Sequence, residues 1–180
     1  MLLWLLFIFA AVSVLIILAV IAAYIKKSNY HATSALISYL FYAFIFTIIW
    51  VFNLEIPPYI IILPLSAVFI SCFFGHYMDW YSRFRAFDCC VHLYGAFSFA
   101  LLTYYIIENF IKTGGSKLFL SIFVFTAGVT LGALYELIEA AHDAKSNAKS
   151  QPNLNDTNMD ILFDFLGSAA AGVFAYYLIF

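Results

Sequence analysis

Charge is what this chain has least of. Only 10% of its 180 residues are Asp, Glu, Lys or Arg, where a soluble domain carries about 25%. Hydrophobic residues make up 66%, above the roughly 45–50% of soluble proteins. A water-soluble core is thereby excluded, and the composition is that of a polytopic membrane protein. A net charge of −2 gives nucleic acid no foothold as a partner. The three cysteines, Cys72, Cys89 and Cys90, form no C-x-x-C pair and no disulfide framework. Cys89 and Cys90 read as small apolar helix residues. No serine or cysteine sits in a nucleophile motif, and neither an internal repeat nor a low-complexity run is visible.

Long apolar runs are abundant instead. A bilayer-crossing helix needs about 20 mostly apolar residues. Six stretches qualify: roughly 2–25, 33–54, 58–76, 88–111, 117–140 and 157–180. The expected fold class is all-α, a transmembrane bundle forming one membrane domain over residues 1–180. The first stretch has no basic n-region and exceeds the roughly 7–15 residues of a signal-peptide core, so it reads as a retained span. Lys26, Lys27, Arg83, Arg85, Lys145 and Lys149 fall in alternate loops on one side, and only Lys112 and Lys117 on the other. This bias predicts a cell-membrane protein with both termini extracytoplasmic.

The segment 77–87 is too polar to span. As a helix it would line Tyr77, Trp80, Phe84 and Phe87 on one face and pair Asp79 with Arg83 on the other. That describes a short helix in the headgroup layer, either as an aromatic anchor or with Arg83 and Arg85 as phosphate contacts. The polar loop 144–155 ends at Asn155-Asp156, either of which could cap the last helix.

The few acidic residues are unevenly spread. Asp88 and His92 open one span, Glu136 and Glu139 close the next, and Asp160 and Asp164 open the last. Because consecutive spans run in opposite directions, all of these positions share one leaflet. Burying a charged residue at a membrane-helix centre costs roughly 2.5–3.5 kcal/mol, less near the interface. Asp88 and His92 are four apart on one face, with Gly95 three further along it. Such a carboxylate can orient an imidazole for metal binding or for proton transfer. Gly128, Gly132 and Glu136 form one ridge, where small residues let a second helix approach and aim Glu136 at a helix interface. Asp160 and Asp164 are followed by Gly167 and Ala171 on the same face. Asp156 and, in part, Asp160 suit a helix start, but Asp164 lies two turns inside. His142 and Asp143 could extend the cluster, Asp143 being four residues past Glu139, or lie in the solvated loop, the favoured reading, and His31 and His76 read as interface residues.

Three separated motifs then carry a family resemblance. The strings FDCCVHLYGAF, LGALYELIEAAHD and NDTNMDILFDFLGS resemble the YjdF-like group of predicted membrane proteins, similar in turn to the VanZ-like superfamily. The shared pattern falls on Asp88 and His92, on Tyr135, Glu136 and Glu139, and on Asp156, Thr157, Asp160 and Gly167. It covers roughly residues 76–180. The sequence departs from it at Asp164, where such proteins usually carry Asn or a small residue, and at Ala140, where Trp is usual. The resemblance implies a multi-pass membrane protein without assigning a reaction.

Three classes of function follow from the residues. The first is a membrane-embedded enzyme acting on a lipid or lipid-linked headgroup at the cytoplasmic leaflet. There Asp88, His92, Glu136, Glu139 and Asp160 would be catalytic. His92, Glu136, Glu139, Asp160 and Asp164 would bind a divalent cation, Mg²⁺ or Mn²⁺ by their oxygens or Zn²⁺ by the imidazole, and Arg83 and Arg85 would hold a phosphate. The second is an ion- or proton-coupled transporter. The third is a structural or regulatory protein whose carboxylates and histidine close into a hydrogen-bonded network. The clustered carboxylates and His92 gather in one leaflet and ionisable residues avoid the span centres, which weighs against transport.

Overall fold

A computed structural model describes residues 3–26, 29–144 and 154–180, with the side chains of residues 29, 30 and 85 left out. The described residues are helical without strands. They form α1 (Leu3–Ile25), α2 (Asn29–Val51), α3 (Pro58–Phe69) running into a π-helical segment (Ile70–Tyr77), α4 (Trp80–Arg83), α5 (Arg85–Ile111), α6 (Lys117–Asp143) and α7 (Leu154–Leu178). Six are long and apolar enough to cross a bilayer when α3 and its π-helical continuation count as one, so the chain is an integral, multi-pass membrane protein. Lys145 and Lys149, and with them most of the expected polar loop, lie outside the described residues.

Helix ends shift by up to about one turn from the hydropathy reading, for local reasons. Helix α6 continues through Asp143, so His142 and Asp143 lie half-buried in its last turn and not in a solvated loop. Asn155 and Asp156 already lie within α7 among the described residues, and not at its cap. Pro58 opens α3, where its missing N–H costs nothing and its fixed φ is already helical. Helix α2 ends where Asn53 turns left-handed (φ 47°), and the Leu54 N–H closes on the Ile49 carbonyl at 3.0 Å. Helix α5 ends in the same way at Lys112 (φ 47°), where Glu108 accepts hydrogen bonds from the Thr113 amide and hydroxyl. Ser116 caps α6 by accepting the Phe119 N–H at 3.2 Å.

The chain divides into two compact units, Met1–Phe87 and Asp88–Phe180. In the first, Phe9 of α1 stacks on Phe46 of α2 at 3.9 Å between centroids. The fully buried Tyr42 donates its hydroxyl hydrogen to the Ile61 carbonyl of α3 at 2.7 Å. At the far end of this unit His31 and His76 meet, their Nδ1 atoms 3.2 Å apart. Residues 77–87 turn at Met78 and Asp79 before the four-residue α4. Trp80, Phe84 and Phe87 do cluster, whereas Tyr77 packs on Phe73 and beneath the Lys26 ammonium. Asp79 is left-handed (φ 62°) and stands outside the helix, so it takes Ser82 and His31 as partners instead of Arg83.

The second unit is α5, α6 and α7. The buried residues of α6 (Gly128, Gly132, Glu136) and of α7 (Asp160, Asp164, Gly167, Ser168, Ala171) each form the single stripe that i, i+4 spacing dictates. Close approach is real here. A Cβ on Gly128 would lie 2.8 Å from Ser168 Cβ and 2.9 Å from Ala100 Cβ, and one on Gly172 would lie 2.9 Å from the Ser121 carbonyl. On α5 the packing differs: a Cβ on Gly95 would meet nothing within 4 Å.

Candidate functional site

The second unit gathers its ionisable residues at one end. Asp88 sits in the first turn of α5, Glu136 near the end of α6 and Asp160 near the start of α7, as antiparallel neighbours require. His92 (8% exposed), Glu136 (4%), Asp160 (3%) and Asp164 (4%) are buried, while the Asp88 side chain keeps 32% of its surface. Groups of this kind are rarely buried unless paired or ligating.

His92 is the hub. Its Nδ1 lies 3.3 Å from both carboxylate oxygens of Asp164. Its Nε2 faces Asp88 Oδ1 at 3.7 Å, one turn earlier on α5, and Glu136 Oε1 at 3.8 Å on α6. The Tyr135 ring packs edge-on against the imidazole, 5.8 Å between centroids. Two overlapping sets of side chains have the spacing to hold a metal ion: Asp88, His92 and Asp160, and His92, Glu136 and Asp164. Glu139, one turn beyond Glu136, is half-buried and stands outside both.

Small residues make these contacts possible. A Cβ on Gly132 would lie 2.7 Å from Asp164 Cβ, so only glycine lets that carboxylate stand between α6 and α7. Asp164 is further tied to its own helix through Ser168, whose hydroxyl donates to the Asp164 carbonyl at 2.6 Å. Chemically, several carboxylates around one imidazole in a low-dielectric setting carry excess negative charge. Protons or a cation can offset it.

Asp88, His92, Glu136, Asp160 and Asp164 are therefore brought together, and Glu139 stands at the margin. Arg83 is exposed on α4 in the first unit, and the side chain of Arg85 lies outside the described residues. Three features are not legible in the sequence. One is the Tyr135 packing, signalled only by its place before Glu136. Another is the His31–His76 contact, signalled only by both residues standing at same-side ends of spans. The third is the distinct position of Asp164 on the other nitrogen of His92.

A Thermotoga maritima protein described as uncharacterized is 28% identical over 114 residues, 63% of this chain and 59% of that relative's length. No solved structure matches the chain. Residues 5–179 match the model of a family described as "Predicted membrane protein (DUF2238)", and the chain belongs to that family.

Proposed function

We propose that this protein is a membrane-embedded, divalent-cation-dependent enzyme acting on a lipid or lipid-linked headgroup. The observation that carries this reading is the environment of His92: one imidazole with carboxylates at both nitrogens, buried where three helices meet. A divalent cation would offset the excess carboxylate charge that burial otherwise opposes. Donors around one Zn²⁺-sized ion sit about 3–4 Å apart, given bonds of about 2.0–2.2 Å, and the Nε2–carboxylate separations of 3.7 and 3.8 Å fall in that range. Oxygen-rich ligation suits Mg²⁺ or Mn²⁺, and the imidazole admits Zn²⁺. Bound there, such an ion would polarise a phosphoryl oxygen or acidify a water. The partly exposed Asp88 marks the side a headgroup would enter. Glu139, at the margin, would accept a proton.

The positive-inside bias supports a site at the cytoplasmic leaflet with both termini outside. The motifs at Asp88–His92, Glu136–Glu139 and Asp156–Gly167 support a place for the chain in the YjdF-like branch of the VanZ-like superfamily. A second reading has one specific observation in its favour. The direct Asp164–His92 contact also suits a closed, proton-satisfied network of structural purpose.

The deciding experiment combines metal analysis of the detergent-purified protein with phosphate release from phosphatidic acid and from polyprenyl diphosphate. Bound cation and chelator-sensitive release are expected. Metal-free protein that ignores chelator and added Mg²⁺, Mn²⁺ and Zn²⁺ alike would leave the structural reading in possession.

A further inference from the structure

The two candidate sets share His92, and a neutral imidazole cannot serve both as a ligand. A neutral imidazole carries one N–H and one lone pair, so a single ring nitrogen is available to a cation. The two nitrogens of His92 stand in different surroundings. Nδ1 is 3.3 Å from both oxygens of Asp164, which, ionised, can only accept. Nε2 has its nearest carboxylate oxygens at 3.7 and 3.8 Å, beyond hydrogen-bond reach but within the separation of two ligands on one ion.

Resting on the cation-site reading above, we infer that Asp164 is a positioning residue and not a ligand. It holds the Nδ1–H of His92 and thereby turns the Nε2 lone pair toward Asp88 and Asp160, the set whose spacing lets them take the cation with it. Carboxylates that orient metal-binding histidines in this way are a general feature of metal sites, and their loss typically lowers affinity by about 10–100-fold.

Packing and access agree with this division. Asp164 is pinned between α6 and α7, because Gly132 offers no Cβ and the Asp164 side chain fills that space. A carboxylate so enclosed keeps one geometry, as an orienting group must. Its side chain is 6% exposed, against 32% for Asp88. The open side of the imidazole is therefore the Nε2 side, and an ion arriving from the headgroup layer meets Asp88 first.

The test uses full-length protein in detergent with ¹⁵N-labelled histidine and Zn²⁺ as a diamagnetic probe. Long-range ¹H–¹⁵N spectra of the wild type should show His92 protonated at Nδ1 and metallated at Nε2. In parallel, Zn²⁺ affinity is measured for Asp164→Asn and Asp160→Asn, each checked for helicity and monodispersity. Asn at 164 still accepts the Nδ1–H, so binding should survive with affinity reduced about 10–100-fold. Asp160→Asn removes a ligand and should weaken binding further. Zn²⁺ on Nδ1, or Asp164→Asn losing as much affinity as Asp160→Asn, overturns the assignment while leaving the cation site intact. A wild type that binds no Zn²⁺, Mg²⁺ or Mn²⁺ sinks the cation site and this assignment together. The wild-type spectrum decides the matter even if a variant does not fold.

Discussion

Gly167 of α7 lies directly against the main chain of Leu93 in α5: a Cβ added there would collide with the Leu93 carbonyl oxygen and come within 2.9 Å of its carbon. Leu93 follows His92 in sequence, so this contact sets how closely the helix carrying the imidazole approaches the helix carrying Asp160 and Asp164. The obstacle is backbone and cannot rotate aside. Gly167→Ala should therefore destabilise the protein by about 1–3 kcal/mol, the usual range for overpacking. Gly95→Ala is the control, because that position faces open space and alanine is the better helix former. Thermal unfolding in detergent should show a lowered midpoint for the first and an unchanged or slightly raised one for the second.

Charge at the site is separable from shape. Glu136→Gln and Asp160→Asn keep size and much of the hydrogen bonding but remove the charge that a cation needs. Both variants should insert and fold. Wild type should gain about 2.7 kcal/mol of stability at a cation concentration 100 times its Kd, and the variants little or none. Equal stabilisation of all three by Mg²⁺, Mn²⁺ or Zn²⁺ would show that the ion acts elsewhere.

Within the first unit, Tyr42 is a test of polar satisfaction in an apolar setting. Its hydroxyl is fully buried and bonded to the Ile61 carbonyl at 2.7 Å. Tyr42→Phe should cost about 0.5–1.5 kcal/mol, read by denaturation of the purified protein, with no change in cation response. A loss of cation response would tie this contact to the site in the second unit.

Topology is testable in cells. Alkaline phosphatase fused after Phe180 should be active, and green fluorescent protein at the same position dark, if the basic-residue bias sets both termini outside. The opposite pair of signals would invert the orientation and move the acidic site to the outer leaflet.

Much of this architecture is legible in one dimension. Apolar runs of about 20 residues give the spans because a lipid core leaves a chain few ways to satisfy its backbone except as helix. The i, i+4 ridge Gly128–Gly132–Glu136 predicts a buried glutamate at a close helix contact, and Glu136 is buried there. The same logic misleads at Gly95, since a glycine on the correct face does not reveal whether a neighbour occupies it. Helix ends are misjudged where polar residues continue a helix past its apolar stretch, as at His142 and Asp143, and where a left-handed residue breaks one, as at Asp79.

By itself the sequence determined that this is a multi-pass helical membrane protein, and that Asp88, His92, Glu136, Asp160 and Asp164 lie at same-side ends of consecutive spans. Hydropathy and the alternation of span direction suffice for that. Only the tertiary structure decided which carboxylate meets which nitrogen of His92, that Glu139 lies outside both candidate metal sets, and that Asp164 has room because residue 132 has no side chain. Those outcomes depend on helix rotation and on approaches of a few ångströms, which no spacing along a single chain encodes.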